Sequence, residues 1–258
     1  MSKIIVIHSY KGGTGKTLLS VNLAAAFAKK GKKVCLLDLD FRAPSLQSIF
    51  RLSGSEYWLN DYLNGACDIG KVLVDYTPQC NCTGEMKIGL ANPATEALRD
   101  MSAKDRKWEM RALGRLLSLK NTILNDMEMD YLLYDTSPGL QYSSINAIVS
   151  ADIVLVVSTI DTSDIEGTKR MTTELYDLFE KKSAILMNKV PIEFLSSPVE
   201  KDNIYKRFEN MHTIPVLKVI PCYCDVLRSG GTKIFTRDYP NHPFTKHVEA
   251  VASRLEGF

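Results

Sequence analysis

The segment Tyr10-Lys11-Gly12-Gly13-Thr14-Gly15-Lys16-Thr17 holds the residue types that phosphate chemistry needs. Glycines let the backbone curl until successive N–H groups face the oxygens of a bound phosphate, and the amino end of a following helix adds a favourable dipole. In that arrangement Gly12, Gly13, Thr14, Gly15 and Leu18 shape the cradle, Lys16 reaches the β- and γ-phosphates, and the Thr17 hydroxyl ligates Mg²⁺. The common form of such a loop has glycine at the place of Tyr10 and asks for no lysine at 11, so Lys11 is either an extra functional cation or a solvated loop residue. Hydrolysis would need, in addition, a group to orient water and a carboxylate for the metal shell. Asp38 and Asp40, in Asp38-Leu39-Asp40, and Asp135 offer three carboxylates, any of which could instead only cap a helix.

The base can be argued from a third segment. In Asn-Lys-x-Asp segments that read guanine, the final carboxylate pairs with N–H groups of the base, and its loss leaves those donors unsatisfied. Here Asn188-Lys189-Val190-Pro191 has proline at that place, which favours adenine and makes Asn188 the expected base contact. ATP and Mg²⁺ are therefore the expected ligands.

These residues can meet only if the fold carries them to one edge. Residues 4–8 form a short apolar run with strand character, after which Leu18, Val21, Leu23, Ala24, Ala25 and Phe27 follow a helical rhythm to Gly31. Further strands are predicted at 34–37, 88–91, 131–134, 153–158, 184–188 and 216–220, and helices at about 105–128, 164–181 and 243–256. Continuous apolar strands alternating with helices predict an α/β, three-layer P-loop NTPase fold around a mostly parallel sheet, with ligands beyond the carboxyl ends of the strands. Asp38, Asp40 and Asp135 fall at such ends. No repeat, low-complexity tract or long linker divides the chain, so residues 1–258 are expected to form a single domain, with 52–86 a surface excursion.

Bulk properties exclude some alternatives. A formal net charge of +2 gives no general attraction to nucleic acid or an anionic membrane. No apolar run approaches the roughly 18 residues of a membrane span, and the opening segment lacks a signal-peptide core. Six cysteines in such a chain read as reduced thiols, and the cytoplasm is the expected compartment.

Taken together, Lys11-Gly12-Gly13-Thr14-Gly15-Lys16-Thr17, the run from Asp38 to Leu46, the run from Tyr131 through Asp135 to Gly139, and Ile220-Pro221-Cys222 resemble the MinD/ParA family of deviant P-loop ATPases. The likeness runs from residue 3 to about 256, with no recognisable motif between 52 and 100. It implies that Lys11 reaches across a dimer to the partner's nucleotide and that Lys11, Lys16 and Asp40 serve catalysis, with Asp40 placing the water. It further implies that Asp135 binds Mg²⁺ through water, that Asp38 assists metal or loop structure, that Gly139 is a hinge, and that Pro221 and Cys222 wrap the adenine through backbone groups. The implied function is an ATP-hydrolysing switch, homodimeric in the ATP state, that positions or partitions cellular cargo together with an activating protein or cargo that no motif identifies.

Two other functions compete. Cys80-Asn81-Cys82 and Cys222-Tyr223-Cys224 would suit a metallocentre or iron-sulfur maturation ATPase if two copies across a dimer axis supplied four thiolates, although zinc sites more often use Cys-x-x-Cys. A synthetase built on the same engine lacks a visible substrate-binding domain. DNA is left as a candidate partner: Arg99, Lys104, Arg106, Lys107, Arg111 and Arg115 could form one basic helical face, but Asp100, Asp105 and Glu109 interrupt it. Phe244, Val248, Val251 and Leu255 read as the core face of a last helix rather than a basic amphipathic anchor, so no autonomous membrane binding is expected.

Overall fold

A computed structural model of the chain describes residues 2–52, 56–176 and 179–258. Among the described residues eight strands follow in chain order: β1 (Lys3–His8), β2 (Lys33–Leu39), β3 (Leu73–Asp75), β4 (Glu85–Gly89), β5 (Tyr131–Thr136), β6 (Ile153–Ser158), β7 (Lys182–Val190) and β8 (Val216–Pro221). They form one sheet in the order β3-β4-β2-β5-β1-β6-β7-β8, parallel throughout except for the antiparallel edge pair β3 and β4. The helices of eight or more residues are α1 (Lys16–Lys29), α2 (Thr95–Ser102), α3 (Arg106–Leu119), α4 (Tyr142–Ser150), α5 (Thr162–Met171), α6 (Pro198–Met211) and α7 (Pro243–Gly257).

Alternation along β1 explains the three layers, because successive side chains of a strand point to opposite faces. Ile4 and Val6 join one apolar cluster with Trp108, Leu116, Ile148, Ile204 and Phe208 from α3, α4 and α6. Ile5 and Ile7 join the other, with Leu19, Leu23 and Phe27 of α1 and Val248, Val251 and Leu255 of α7. A strand buried on both sides needs no polar alternation, which is why the sequence shows continuous apolar runs. The last helix is the core-packing element expected: Phe244, Val248, Val251 and Leu255 are all buried. Among the described residues no helix is long and apolar enough to cross a membrane.

Several expectations are corrected. The strand at 88–91 begins earlier, at Glu85, because its parallel register is set by β2, with Lys33 opposite Glu85 and Leu37 opposite Gly89. The helix at 105–128 turns into a wider π-type coil over Lys120–Asp126, and the one at 164–181 does so over Thr172–Tyr176. Residues 177–178 of the latter lie outside the described residues. The described part of the span 52–86 is not a surface excursion, and residues 53–55 of it lie outside the described residues. Leu59, Leu63, Ile69 and Val72 fill one core cluster and Tyr76 and Cys80 the other, through short helical turns whose apolar spacing fits neither a long helix nor a strand. The proposed basic face is broken: Arg99 lies on α2 and Arg106 to Arg115 on α3, while Lys104 pairs with Asp100 at 2.8 Å and Asp105 caps α3 by accepting from Trp108 N.

Candidate functional site

The loop between β1 and α1 stands at the carboxyl edge of the sheet, where the sequence placed it. Its curl depends on two left-handed residues, Gly13 at φ 77° and Gly15 at φ 100°, a region that side-chain-bearing residues avoid. Gly15 also has no room for a side chain, since a Cβ there would lie 2.5 Å from Asn188 Nδ2. That amide donates to Thr14 O at 2.8 Å, and Lys189 Nζ donates to Gly13 O at 2.6 Å. Asn188, expected to meet the base, thus also fixes the loop backbone from the end of β7.

The two loop lysines go different ways. Lys16 is buried and donates to Ser9 Oγ at 2.9 Å, while Ser9 Oγ donates to Lys11 O at 2.6 Å. Burial lowers the Lys16 pKa, opposed by the nearby carboxylates of Asp135, Asp40 and Asp164. Lys11 points outward with 40% of its side chain exposed, its ammonium donating to Asp161 Oδ1 at 2.8 Å and to Ser163 Oγ. The bond to Asp161 raises the Lys11 pKa and holds the Asp161 carboxyl well below the usual range.

Beside Lys16, Asp135 is fully buried at the end of β5. Ser20 Oγ donates to its Oδ1 at 3.0 Å, the Thr17 hydroxyl interacts with the same carboxylate, and among the described residues the buried Oδ2 has no close hydrogen-bond partner. Burial pushes the Asp135 pKa up to about 6, with Thr17, Ser20 and Lys16 opposing. A buried, unsatisfied carboxylate oxygen next to a threonine hydroxyl is a donor pair that suits a hard divalent cation. Asp38 differs: its Oδ1 accepts from Asp40 N at 3.1 Å and its Oδ2 from Ser45 N and Leu46 N at 3.2 and 3.3 Å, which anchors the following turn. Burial, then Asp135, drives the Asp38 pKa well above the ordinary value. Asp40, just beyond β2, accepts at Oδ1 from Arg42 N, Ala43 N and, at 2.7 Å, Ser137 Oγ. Asp40 therefore links the turn after β2 to the segment after β5.

That second segment is tied to the loop by contacts the sequence did not reveal. Gly139, at φ 73°, donates its N–H to Ser9 O at 2.9 Å. His8, buried at the end of β1, meets Thr136 Oγ1 through Nδ1 at 2.9 Å, and Thr136 Oγ1 donates to Ile7 O at 2.8 Å. Burial, then Lys16, lowers the His8 pKa to about 3, so the ring is neutral. Sequence reasoning missed Ser9, His8, Ser20, Asp161 and Lys189. For Asp161 a cue was available, since Asp-x-x-Asp opening a helix is a capping pattern, and its side chain does accept from Asp164 N. Pro221 and Cys222 lie where β8 leaves the sheet, with Cys222 N donating to Val190 O at 2.7 Å and so joining them to the Asn188 segment. Leu18 is half-buried in the first turn of α1.

The two cysteine pairs differ in their surroundings. Cys80 is buried in the core, where desolvation, then Cys82, pushes its thiol pKa up, and Cys82 Sγ donates to Gly84 O at 3.5 Å. Cys224 is exposed and Cys222 half-buried. Among the described residues no group of three or more His, Cys, Asp or Glu side chains is placed to hold a metal ion.

A family model described as an AAA domain matches residues 2–188. The septum site-determining protein MinD of Thermotoga maritima is 28% identical in an alignment that takes in the whole of this chain and 89% of that protein. Among solved structures, MinD of Pyrococcus horikoshii complexed with Mg-ADP superposes with a TM-score of 0.78 at 21% identity, over 99% of this chain and 96% of that one. A putative plasmid partition protein of Borrelia burgdorferi bound to AMPPNP superposes with a TM-score of 0.74 at 19% identity, over all of both chains.

Proposed function

Because this chain belongs to the MinD/ParA-type family of P-loop ATPases, matched by its AAA domain model over residues 2–188, we propose that it is an ATP-hydrolysing switch that dimerises around ATP and serves positioning or partitioning of a cellular cargo. Relatives of both kinds, a septum site-determining protein and a plasmid partition protein, have the same fold. We read residues 1–258 as one ATPase unit.

One observation carries the dimeric reading: Lys16 is buried inside its own loop, whereas Lys11, five residues earlier, faces away from it with its ammonium on Asp161. A lysine so placed cannot neutralise its own subunit's γ-phosphate while held there, but it stands at the rim where a second subunit would meet it. Lys16 and the loop amides would hold the β- and γ-phosphates, and Thr17, with Asp135 through water, would hold Mg²⁺, whose charge would offset that of the phosphates. Asp40, presented by the Ser137 hydroxyl and its own turn, orients the attacking water, and Asp38 keeps that turn in place. Asn188, Pro221 and Cys222 border the base. The γ-phosphate adds negative charge at the interface only when ATP is present, and Lys11, given from the partner subunit, neutralises it there; a ligand shifts an equilibrium only by its differential affinity for the two states.

Sedimentation velocity of the wild type and Lys11→Ala, each with ADP and with a slowly hydrolysed ATP analogue, tests the reading. The wild type should dimerise with the analogue alone, and Lys11→Ala should stay monomeric while still binding it. A wild type that stays monomeric with the analogue, or a Lys11→Ala protein that dimerises as well as wild type, refutes it.

A further inference from the structure

At the far edge of the sheet from β3, the open side of β8 forms one wall of a cleft of about 330 Å³. Strands β6 and β7 stand between β8 and β1, so β8 runs roughly 14 Å, three strand spacings, from the strand that carries the phosphate loop, while Pro221 at the end of β8 lines the cleft and also borders the segment read as the base site. Three residues with cationic or ionisable side chains, from three elements, line it: Lys218 of β8, Lys201 of α6 and His247 of α7. Tyr205, Tyr223 and Leu195 add flat and apolar surface between them.

A lysine on an edge strand is commonly a guard against unwanted strand pairing. Lys218 does not fit that role alone. It is half-buried, and two more basic groups converge on it with no acid between them. Among the described residues neither Lys201 nor Lys218 makes a salt bridge. No acid lines the cleft, and four of the acids on the same elements are engaged elsewhere: Asp202 with Lys206 at 2.7 Å, Glu200 with Ser197, Glu249 with Lys29 and Lys246, and Glu256 with Lys30. Burial, then Lys218 and Lys201, lowers the His247 pKa to about 4, and burial, then Arg254 and Lys201, lowers that of Lys218. Like charges gathered in a concave, partly dehydrated place raise the energy of the apoprotein, and an anion in their midst removes that penalty.

We propose that the β8 edge cleft is a binding site for a small phosphate-bearing molecule, its phosphate held by Lys201, Lys218 and His247 and its remainder against Tyr223 and Leu195. A cleft of this volume suits a compact ligand, and its concave, ring-lined walls suit that better than a polymer backbone, which follows an open groove. Occupancy would draw α6, β8 and α7 together at the edge that also carries Pro221 and Cys222.

The test uses the whole protein saturated with Mg-ADP, so that the phosphate loop is filled, with pyrophosphate as probe and the imidazole proton NMR signals of the four histidines as readout. Pyrophosphate should shift the His247 signal and raise its pKa. Lys218→Gln and the exposed Lys201→Gln should each weaken that response about tenfold or more, the loss of one charge-assisted hydrogen bond, and leave Mg-ADP affinity unchanged. Lys107→Gln, on α3, should change nothing. An unmoved His247 signal, or equal pyrophosphate affinity in wild type and both variants, overturns the proposal. A His247 response to duplex DNA or to phosphatidylglycerol vesicles but not to pyrophosphate also overturns it, and assigns the cleft to that polymer or surface instead.

Discussion

Gly15→Ala puts the loop geometry to a quantitative test. Alanine at φ 100° carries a backbone penalty of about 2 kcal/mol. Its Cβ would also lie 2.5 Å from Asn188 Nδ2 and displace an amide that donates to Thr14 O at 2.8 Å. Losing that bond costs about 1 kcal/mol more. The sum, about 3 kcal/mol, corresponds to a melting temperature lower by about 6–12 °C at 2–4 °C per kcal/mol for a chain of this size. The two contributions separate in a double-mutant cycle. In an Asn188→Ala background the clash is gone and the bond already lost, so Gly15→Ala should cost only the backbone share, about 2 kcal/mol. Equilibrium urea denaturation of the four proteins, without nucleotide, measures a coupling of about 1 kcal/mol. A Gly15→Ala penalty that is absent, or equal in both backgrounds, refutes the argument that Asn188 and the left-handed glycine together fix the loop.

Asp135 has a folded-state pKa near 6, above its ordinary value, so the fold favours its protonated form and the apoprotein loses up to about 3 kcal/mol from this group as pH rises from 4 through 6. Asp135→Asn should therefore melt above wild type at pH 7 without ligands, converge with it near pH 4, and fall below it once Mg-ATP stabilises the wild type; a gap independent of pH would contradict this in a calorimetric scan. Asp40→Ala should bind ATP and dimerise while its turnover, followed by phosphate release, drops a hundredfold or more, the scale typical of losing a positioned base; near-normal turnover or lost binding removes Asp40 from that role. Calorimetric titration should show ATP bound in preference to GTP, since Pro191 leaves guanine's N–H groups without a carboxylate; equal affinity would end the argument for adenine.

Much of this was legible in the sequence because it depends on local rules. The glycines of residues 12–15, the lysine and threonine that follow, and the doubly buried strands each impose a pattern on adjacent residues, and the loop and the central strands stand where those patterns put them. The edge elements were harder. β3 has three residues and no period, and α6 buries only Ile204 and Phe208 of its fourteen residues, although Ser197 before Pro198 was a usable start signal. What only the tertiary structure decided are the meetings across long stretches of chain: Lys11 with Asp161, 150 residues away, Ser20 with Asp135, Asn188 with Thr14, 174 residues away, and the convergence of Lys201, Lys218 and His247. Residue type says that a lysine needs an anion or water and that a buried carboxylate needs donors or a metal, but only strand order and register determine which partners come within reach.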